Sequence, residues 1–407
     1  MHSEIQYYTY PSGLRLVYRY VSSPVTYVGV SVGAGTRDEG KGEEGLAHYI
    51  EHGVFKGTVR FSARRLVDGI ENVGGEMNAY TTKEDTTYYA AVPTAYTRRV
   101  LDILSDMLTA PLFPDDEMQK EKQVIYDEIE SYNDSPSELI YDDYESLLFA
   151  GHPLSNRVLG TRRTVSRFSR DIALGFIRKH YTADNMVVFA ETSKRFDDMC
   201  GLVGDILEPR VHRGVSEVVR QVPATATEHE AVWRKHTHQA HVMMGGRACY
   251  VGHPDRLTTA LLMNILGGGA MSSRLNNELR ERHGLVYTVD AAFQPMTDCG
   301  YWSVYFATEP DSVERCIELT MHELQRLMEE PMSVAALRKA IRQCSGQLLI
   351  ADGNRENRAL AMAKAVLTLG EATTSRQTVA KLKTITSADI QRVAREIFVD
   401  MYVLKYK

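Results

Sequence analysis

His48-Tyr49-Ile50-Glu51-His52 is the stretch on which the reading of this 407-residue chain turns. Wound into a helix, its two histidines stand four apart on one face, with Glu51 beside them. Two imidazoles one turn apart can grip a single Zn²⁺, and a neighbouring carboxylate can take a proton from water. The order is HxxEH, the reverse of the commoner HExxH. Gly40-Lys41-Gly42 reads as a turn, Glu43 and Glu44 suit the positive end of a helix, and Gly53 can close it in a left-handed conformation. The expected helix runs from about Glu43 to His52. An ordinary helix with two incidental histidines is the competing reading, so a third ligand is needed.

Residues 115–132 read DDEMQKEKQVIYDEIESY, a helical segment with acidic residues at its start. Met118, Val124, Ile125, Ile129 and Tyr132 recur at helical spacing and form one apolar stripe. Glu121 and Glu128 lie within that stripe, while Asp127 and Glu130 point away. A carboxylate among apolar side chains is costly unless it is paired or bound to a metal. Glu128 is therefore the expected third ligand, giving a His48–His52–Glu128 site for one Zn²⁺ per chain with a fourth position open. Glu121 is expected to support it, orienting a histidine or helping to move protons. In the alternative, both glutamates snorkel to solvent or pair with arginines such as Arg64 or Arg65.

Composition narrows the classes. Hydrophobic residues make up 43% and charged residues 25%, ordinary for a globular protein, and the length allows two domains. A net charge of −6 without a basic run argues against nucleic acid as a partner. No apolar stretch approaches 18 residues, so no membrane span is expected. The start, MHSEIQYYTYPSG, lacks the basic region and apolar core of a signal peptide. Five scattered cysteines without a CxxC fit reduced thiols, and a cytoplasmic location is expected.

The halves repeat one another. Strands are expected at Leu14–Tyr20 and Thr26–Val32, then the HxxEH helix, a helix at Ala63–Asn72, strands at Met77–Ala79 and Thr86–Pro93, and a helix at Thr97–Leu108. The second series is a strand at His241–Arg247, helices at Arg256–Leu266 and Ser273–Glu281, strands at Val286–Phe293 and Gly300–Thr308, and a helix at Asp311–Leu327. This register aligns Gly75 with Gly284 and Pro114 with Pro331. The second copy of the motif helix reads LTTALLMNIL and offers no ligand. Polar sequence at 209–230 reads as a linker between domains 1–208 and 231–407. Strands and helices in runs imply an α+β fold with two similar α/β-sandwich domains.

HxxEH is the inverted zinc-peptidase signature, and here a glutamate follows 76 residues beyond its second histidine. The combination resembles the pitrilysin family, which includes insulysin and the mitochondrial processing peptidase. Further stretches carry the likeness along essentially the whole chain. They are GTRDEG (35–40), FKGT (55–58), GGEMNAYT (74–81), GHPLSNRVLGT (151–161), HYTADNM (180–186), LGGGAMSSRL (266–275) and LRERHGLVY (279–287).

The resemblance implies a zinc-dependent metalloendopeptidase with Glu51 as general base. It also implies an edge strand at Asn78, Ala79, Tyr80 and Thr81 that takes the peptide substrate as an added strand. Arg280 and Tyr287 match a pair that contacts the substrate and the reacting carbonyl. Two such chains are implied to close as a clamshell around a chamber, so a homodimer is expected, with a heterodimer of related subunits as the other possibility. Competing functions are a non-catalytic or partner-dependent processing-peptidase-like subunit or scaffold, and a peptide-binding chamber. A rival metal site, His236, His238 and His241 as HxHxxH, lacks an acidic base. The Gly267-Gly268-Gly269 run lacks the GK[ST] of a phosphate loop.

Overall fold

The computed structural model describes residues 5–216, 220–235 and 237–407. Strands β1 (Ile5–Thr9), β2 (Arg15–Tyr20) and β3 (Val25–Val32) lead into α1 (Leu46–Gly53), which carries HxxEH, and α2 (Ala63–Glu71). A hairpin of β4 (Glu76–Thr81) and β5 (Thr86–Pro93) follows. Next come α3 (Thr97–Thr109), α4 (Asp115–Asn133), α5 (Pro136–Leu148), α6 (Arg162–Val165) and α7 (Arg170–His180). Strand β6 (Met186–Thr192) and α8 (Phe196–Ile206) end the first series. The second begins with β7 (Glu230–Trp233), β8 (Ala240–Ala248) and α9 (Arg256–Gly267). After a π-helix at Asn276–Arg282 come β9 (Val286–Pro295), β10 (Gly300–Thr308) and α10 (Val313–Glu329). Helices α11 (Val334–Ala351), α12 (Arg355–Leu369), α13 (Ser375–Leu382) and α14 (Ser387–Ile397) precede β11 (Tyr402–Tyr406).

The expected α+β class and internal duplication are both present. One sheet runs β1-β2-β6-β3-β5-β4 and the other β7-β11-β8-β10-β9. Without β1 the two orders match position for position, and each has its one parallel pair at the same place, β2 with β6 and β7 with β11. The repeat register shifts by one residue from the expected one. Gly74 (φ 76°) and Gly284 (φ 63°) are both left-handed, and each stands two residues before its strand. Gly75 instead matches Leu285, since their amides return to the preceding helices through Ile70 and Leu279.

Compactness divides the chain into two units that are not consecutive in sequence. One holds residues 1–130, 156–220 and 351–374, the other 131–155, 221–350 and 375–407. The expected division at 208 and 231 does not contain this exchange. In the first unit, α12 covers the sheet face opposite α1. Val187 and Phe189 of β6 pack on Ala359, Met362, Ala363 and Val366, while Met186, Val188 and Ala190 face the other core. Strand β6 is thus buried on both faces, which explains its nearly continuous apolar run MVVFA. Fully buried Glu191 of β6 clamps α12 by pairing with Arg355 at 2.7 Å and Arg358 at 2.6 Å. In the second unit α5 takes the corresponding role: Ile140, Tyr144 and Leu148 share a core with Met243, Tyr402 and Leu404. The expected linker is also partly anchored, because Arg220 pairs with Asp38 at 3.1 Å in the first unit. No helix among the described residues is long and apolar enough to cross a membrane.

Candidate metal centre

Helix α1 buries Leu46, Ala47, Tyr49 and Ile50 and leaves His48, Glu51 and His52 only partly covered. Each large apolar side chain buried this way stabilises the helix by about 1.5–3 kcal/mol, so one face is fixed and the other is free to carry chemistry. The helix begins at Leu46 rather than Glu43, so Glu43 and Glu44 lie before its first turn. Their carboxylates accept from the amides of Gly40 and Gly42 instead. The N-terminus is capped from farther away. Buried Glu39 accepts from the Gly45 amide at 3.0 Å and from the Ala47 amide at 2.8 Å. Burial pushes the Glu39 pKa well above the usual carboxylate range against the pull of those two amides. The other end differs too. Gly53 is right-handed (φ −68°), and the chain continues through a 3₁₀ turn at Val54–Lys56 to Gly57 (φ 116°). Glycine at 53 serves close approach, because a Cβ there would stand 2.2 Å from the Phe113 ring.

Helix α4 presents Glu121 and Glu128 to α1. Glu128 Oε2 lies 3.7 Å from His48 Nε2 and 3.6 Å from His52 Nε2. These three residues are the only group among the described residues placed to hold a metal ion, with ligand atoms all within 4.8 Å. A tetrahedral zinc site with bonds of about 2.1 Å has ligand–ligand edges of about 3.4 Å, so little movement is needed to close on the ion. Glu128 Oε2 is buried without a hydrogen-bond partner, an uncompensated cost that a cation would remove. Burial, helped by the neighbouring His52, holds the His48 pKa down at about 3, so this imidazole is neutral, as a ligand must be. The donor set fits zinc.

The supporting shell is also visible. Glu121, only 8% exposed, lies with Oε2 3.0 Å from His52 Nδ1 and Oε1 2.5 Å from Lys56 Nζ. With Nδ1 donating to Glu121, His52 Nε2 keeps its lone pair facing Glu128. Burial alone would lower the His52 pKa, but the bond to Glu121 and the charges of Glu128 and Glu51 outweigh it and hold it above its ordinary value. Burial likewise opposes ionisation of Glu121, and the His52 and Lys56 contacts overcome it, leaving that pKa lowered. Lys56, not Arg64 or Arg65, is thus the cation that Glu121 meets. One member of the expected apolar stripe falls outside it: Val124 is 43% exposed.

Glu51 completes the cluster. Its Oε2 accepts a hydrogen bond from Thr81 Oγ1 at 2.5 Å. Burial raises its pKa, opposed by that bond and by His52, and reinforced by the charge of Glu128. A carboxylate less acidic than usual is better matched to receiving a proton near neutral pH. Thr81 ends β4, and β4 pairs only with β5, so Asn78, Ala79, Tyr80 and Thr81 lie on an edge strand of the first sheet.

In the second unit, Arg280 lies on the π-helix and Tyr287 on β9, both exposed, Tyr287 by 81%. Helix α9 buries Leu261, Leu262, Met263 and Leu266 and has no metal-binding side chain. Of the rival histidines, His236 lies outside the described residues. His241 Nδ1 is 2.9 Å from the Tyr305 hydroxyl, and His238 lines an open basic depression with Arg234, Lys235 and Lys407. Three supporting residues were not singled out from sequence: Glu39, Lys56 and the Thr81 hydroxyl as a partner of Glu51. Lys56, one turn beyond His52, had a local signal in that spacing. Glu39 had none, since its partners depend on how the preceding loop folds back.

Residues 15–162 match the family model described as Insulinase (Peptidase family M16), and residues 167–344 match Peptidase M16 inactive domain. An uncharacterized zinc protease of Streptomyces coelicolor is 32% identical over 96% of this chain and 86% of its own length. One from Bacillus subtilis is 29% identical over 98% and 97%. Among solved structures, a protease from Helicobacter pylori superposes with a TM-score of 0.91 over 100% of both chains at 20% identity. A peptidase M16 inactive domain from Pseudomonas fluorescens gives 0.91 over 99% and 97% at 18% identity. At those identities the structures establish the fold.

Proposed function

The chain belongs to peptidase family M16, and from that premise we propose that it is a zinc-dependent endopeptidase acting on unfolded oligopeptides or precursor segments. The observation that carries the reading is the convergence of His48, His52 and Glu128 on one point with Glu51 beside it. Relatives named zinc proteases support the choice of metal. Bound by those three residues, Zn²⁺ would supply a Lewis acid that polarises a peptide carbonyl and acidifies water. Glu51 takes the proton of the attacking water and passes it to the leaving amine. Glu121, held by Lys56, keeps His52 in the tautomer that binds metal.

The peptide lies along β4 at Asn78–Thr81 as an added strand, so main-chain bonds hold it with little side-chain preference. Arg280 and Tyr287 serve the substrate and its carbonyl oxygen, and their exposure leaves both groups available. Two copies form a homodimer that encloses the substrate, and five scattered cysteines without a CxxC suit a reducing, cytoplasmic setting. Retention of all three metal-binding residues and of Glu51 weighs against a non-catalytic scaffold. Chelation tests the proposal: a quenched unstructured peptide should be cleaved, cleavage should stop when zinc is stripped, and stoichiometric zinc should restore it. Turnover that survives complete removal of metal would refute it.

A further inference from the structure

We infer that the Thr81 side chain is a positioning residue, holding one carboxylate oxygen of Glu51 so that the other is aimed for proton transfer; this rests on the peptidase reading above. Side chains alternate along β4, and Met77 and Ala79 pack on the core that includes α1. Thr81 continues that face, placing a hydroxyl where the pattern calls for an apolar group. Its Oγ1 lies 2.5 Å from Glu51 Oε2 and 3.5 Å from Oγ1 of Thr86, its cross-strand partner.

The direction of the bond follows from the supply of protons. Thr86 Oγ1 gives its only proton to the Ala34 carbonyl at 2.9 Å. An ionised carboxylate has none to give, so Thr81 donates to Glu51. A hydroxyl–carboxylate bond this short belongs to the stronger, charge-assisted kind. Threonine is also stiff at χ1, so the donor does not wander. Oε2 is therefore tied to the sheet, and Oε1 is the oxygen left to exchange a proton. The strand that holds Glu51 is the same one proposed to align the peptide, so base and scissile bond share a rigid reference.

The test uses full-length, zinc-loaded Thr81→Val, which keeps the shape and strand preference but loses the donor, and Thr81→Ser, which keeps the donor. Thr81→Val should retain zinc and lower kcat about tenfold to a hundredfold with KM changed less than about twofold. Thr81→Ser should recover to within about threefold of wild type. In a Glu51→Gln background Thr81→Val should cost nothing further, because the hydroxyl acts through Glu51. Unchanged kcat, or a raised KM with kcat intact, would overturn the assignment. A crystal structure of Thr81→Val reads the same point without turnover: Glu51 should leave its wild-type position, and an unmoved Glu51 would overturn the proposal. A zinc-loaded wild type that cleaves no peptide, together with a displaced Glu51 in Thr81→Val, would sink the peptidase reading while sustaining the positioning role.

Discussion

The two helix pairs α1/α4 and α9/α11 stand at corresponding points in the element order of two repeats whose sheets, β1 aside, share one strand order, yet only one is built for a metal. Between α9 and α11, Asn264 Nδ2 donates to Gln347 Oε1 at 2.9 Å, and the two amides answer one another. Between α1 and α4, two imidazoles face a carboxylate whose buried Oε2 has no partner. One pair is closed by an internal hydrogen bond; the other is left open for a cation. The fold therefore does not make the site. A few side chains on a tolerant scaffold do, and the support around them (Glu121, Lys56, Thr81, Glu39) has no counterpart described on the other side.

The sharpest way to break this contrast is to remove both imidazoles. His48→Asn with His52→Asn should abolish zinc binding and lower turnover at least about a thousandfold, read by metal analysis and peptide cleavage. Zinc retained at full occupancy would shift the weight to His238 and His241. Glu121→Gln keeps the ligands but loosens His52, so zinc affinity should fall about tenfold to a hundredfold in competition with a chelator. Glu39→Ala removes the distant cap of α1 and should destabilise the first unit by about 1–2 kcal/mol in denaturant unfolding. Asn264→Ala should cost about 1 kcal/mol in the second unit and leave zinc content and kcat as in wild type. A fall in kcat there would show that the two pairs are not independent.

Acid provides the mildest test. Burial holds the His180 pKa down at about 4, below the ordinary 6.5, so the folded chain keeps this ring neutral where the unfolded chain would charge it. Its contribution to stability is complete above about pH 6.5 and is lost as pH falls towards about 4. His180→Phe should flatten that part of the thermal-unfolding profile.

Much of the site was legible because its chemistry is local or regularly spaced. HxxEH fixes three groups on one helix face, and the carboxylates of α4 stand out against an apolar stripe. Element positions were also readable: β5 and β10 fall at their expected residues, and the other paired elements lie within a few residues of theirs. What could not be read depends on contacts distant in sequence. Glu39 caps a helix through a folded loop, and Gly53 is small because Phe113 arrives from 60 residues away. The docking of α12 on the first sheet is set by buried Glu191 receiving Arg355 and Arg358, which no periodicity reveals. The expected left-handed Gly53 failed because a glycine has two uses, and sequence alone does not say which applies.

The most direct test measures zinc content and cleavage of a quenched, unstructured peptide on the same preparations of wild type and Glu51→Gln. One zinc per chain is expected in both, with turnover lower by about a hundredfold to ten-thousandfold in the variant. Turnover retained in Glu51→Gln, or a wild type that binds no zinc, would contradict it.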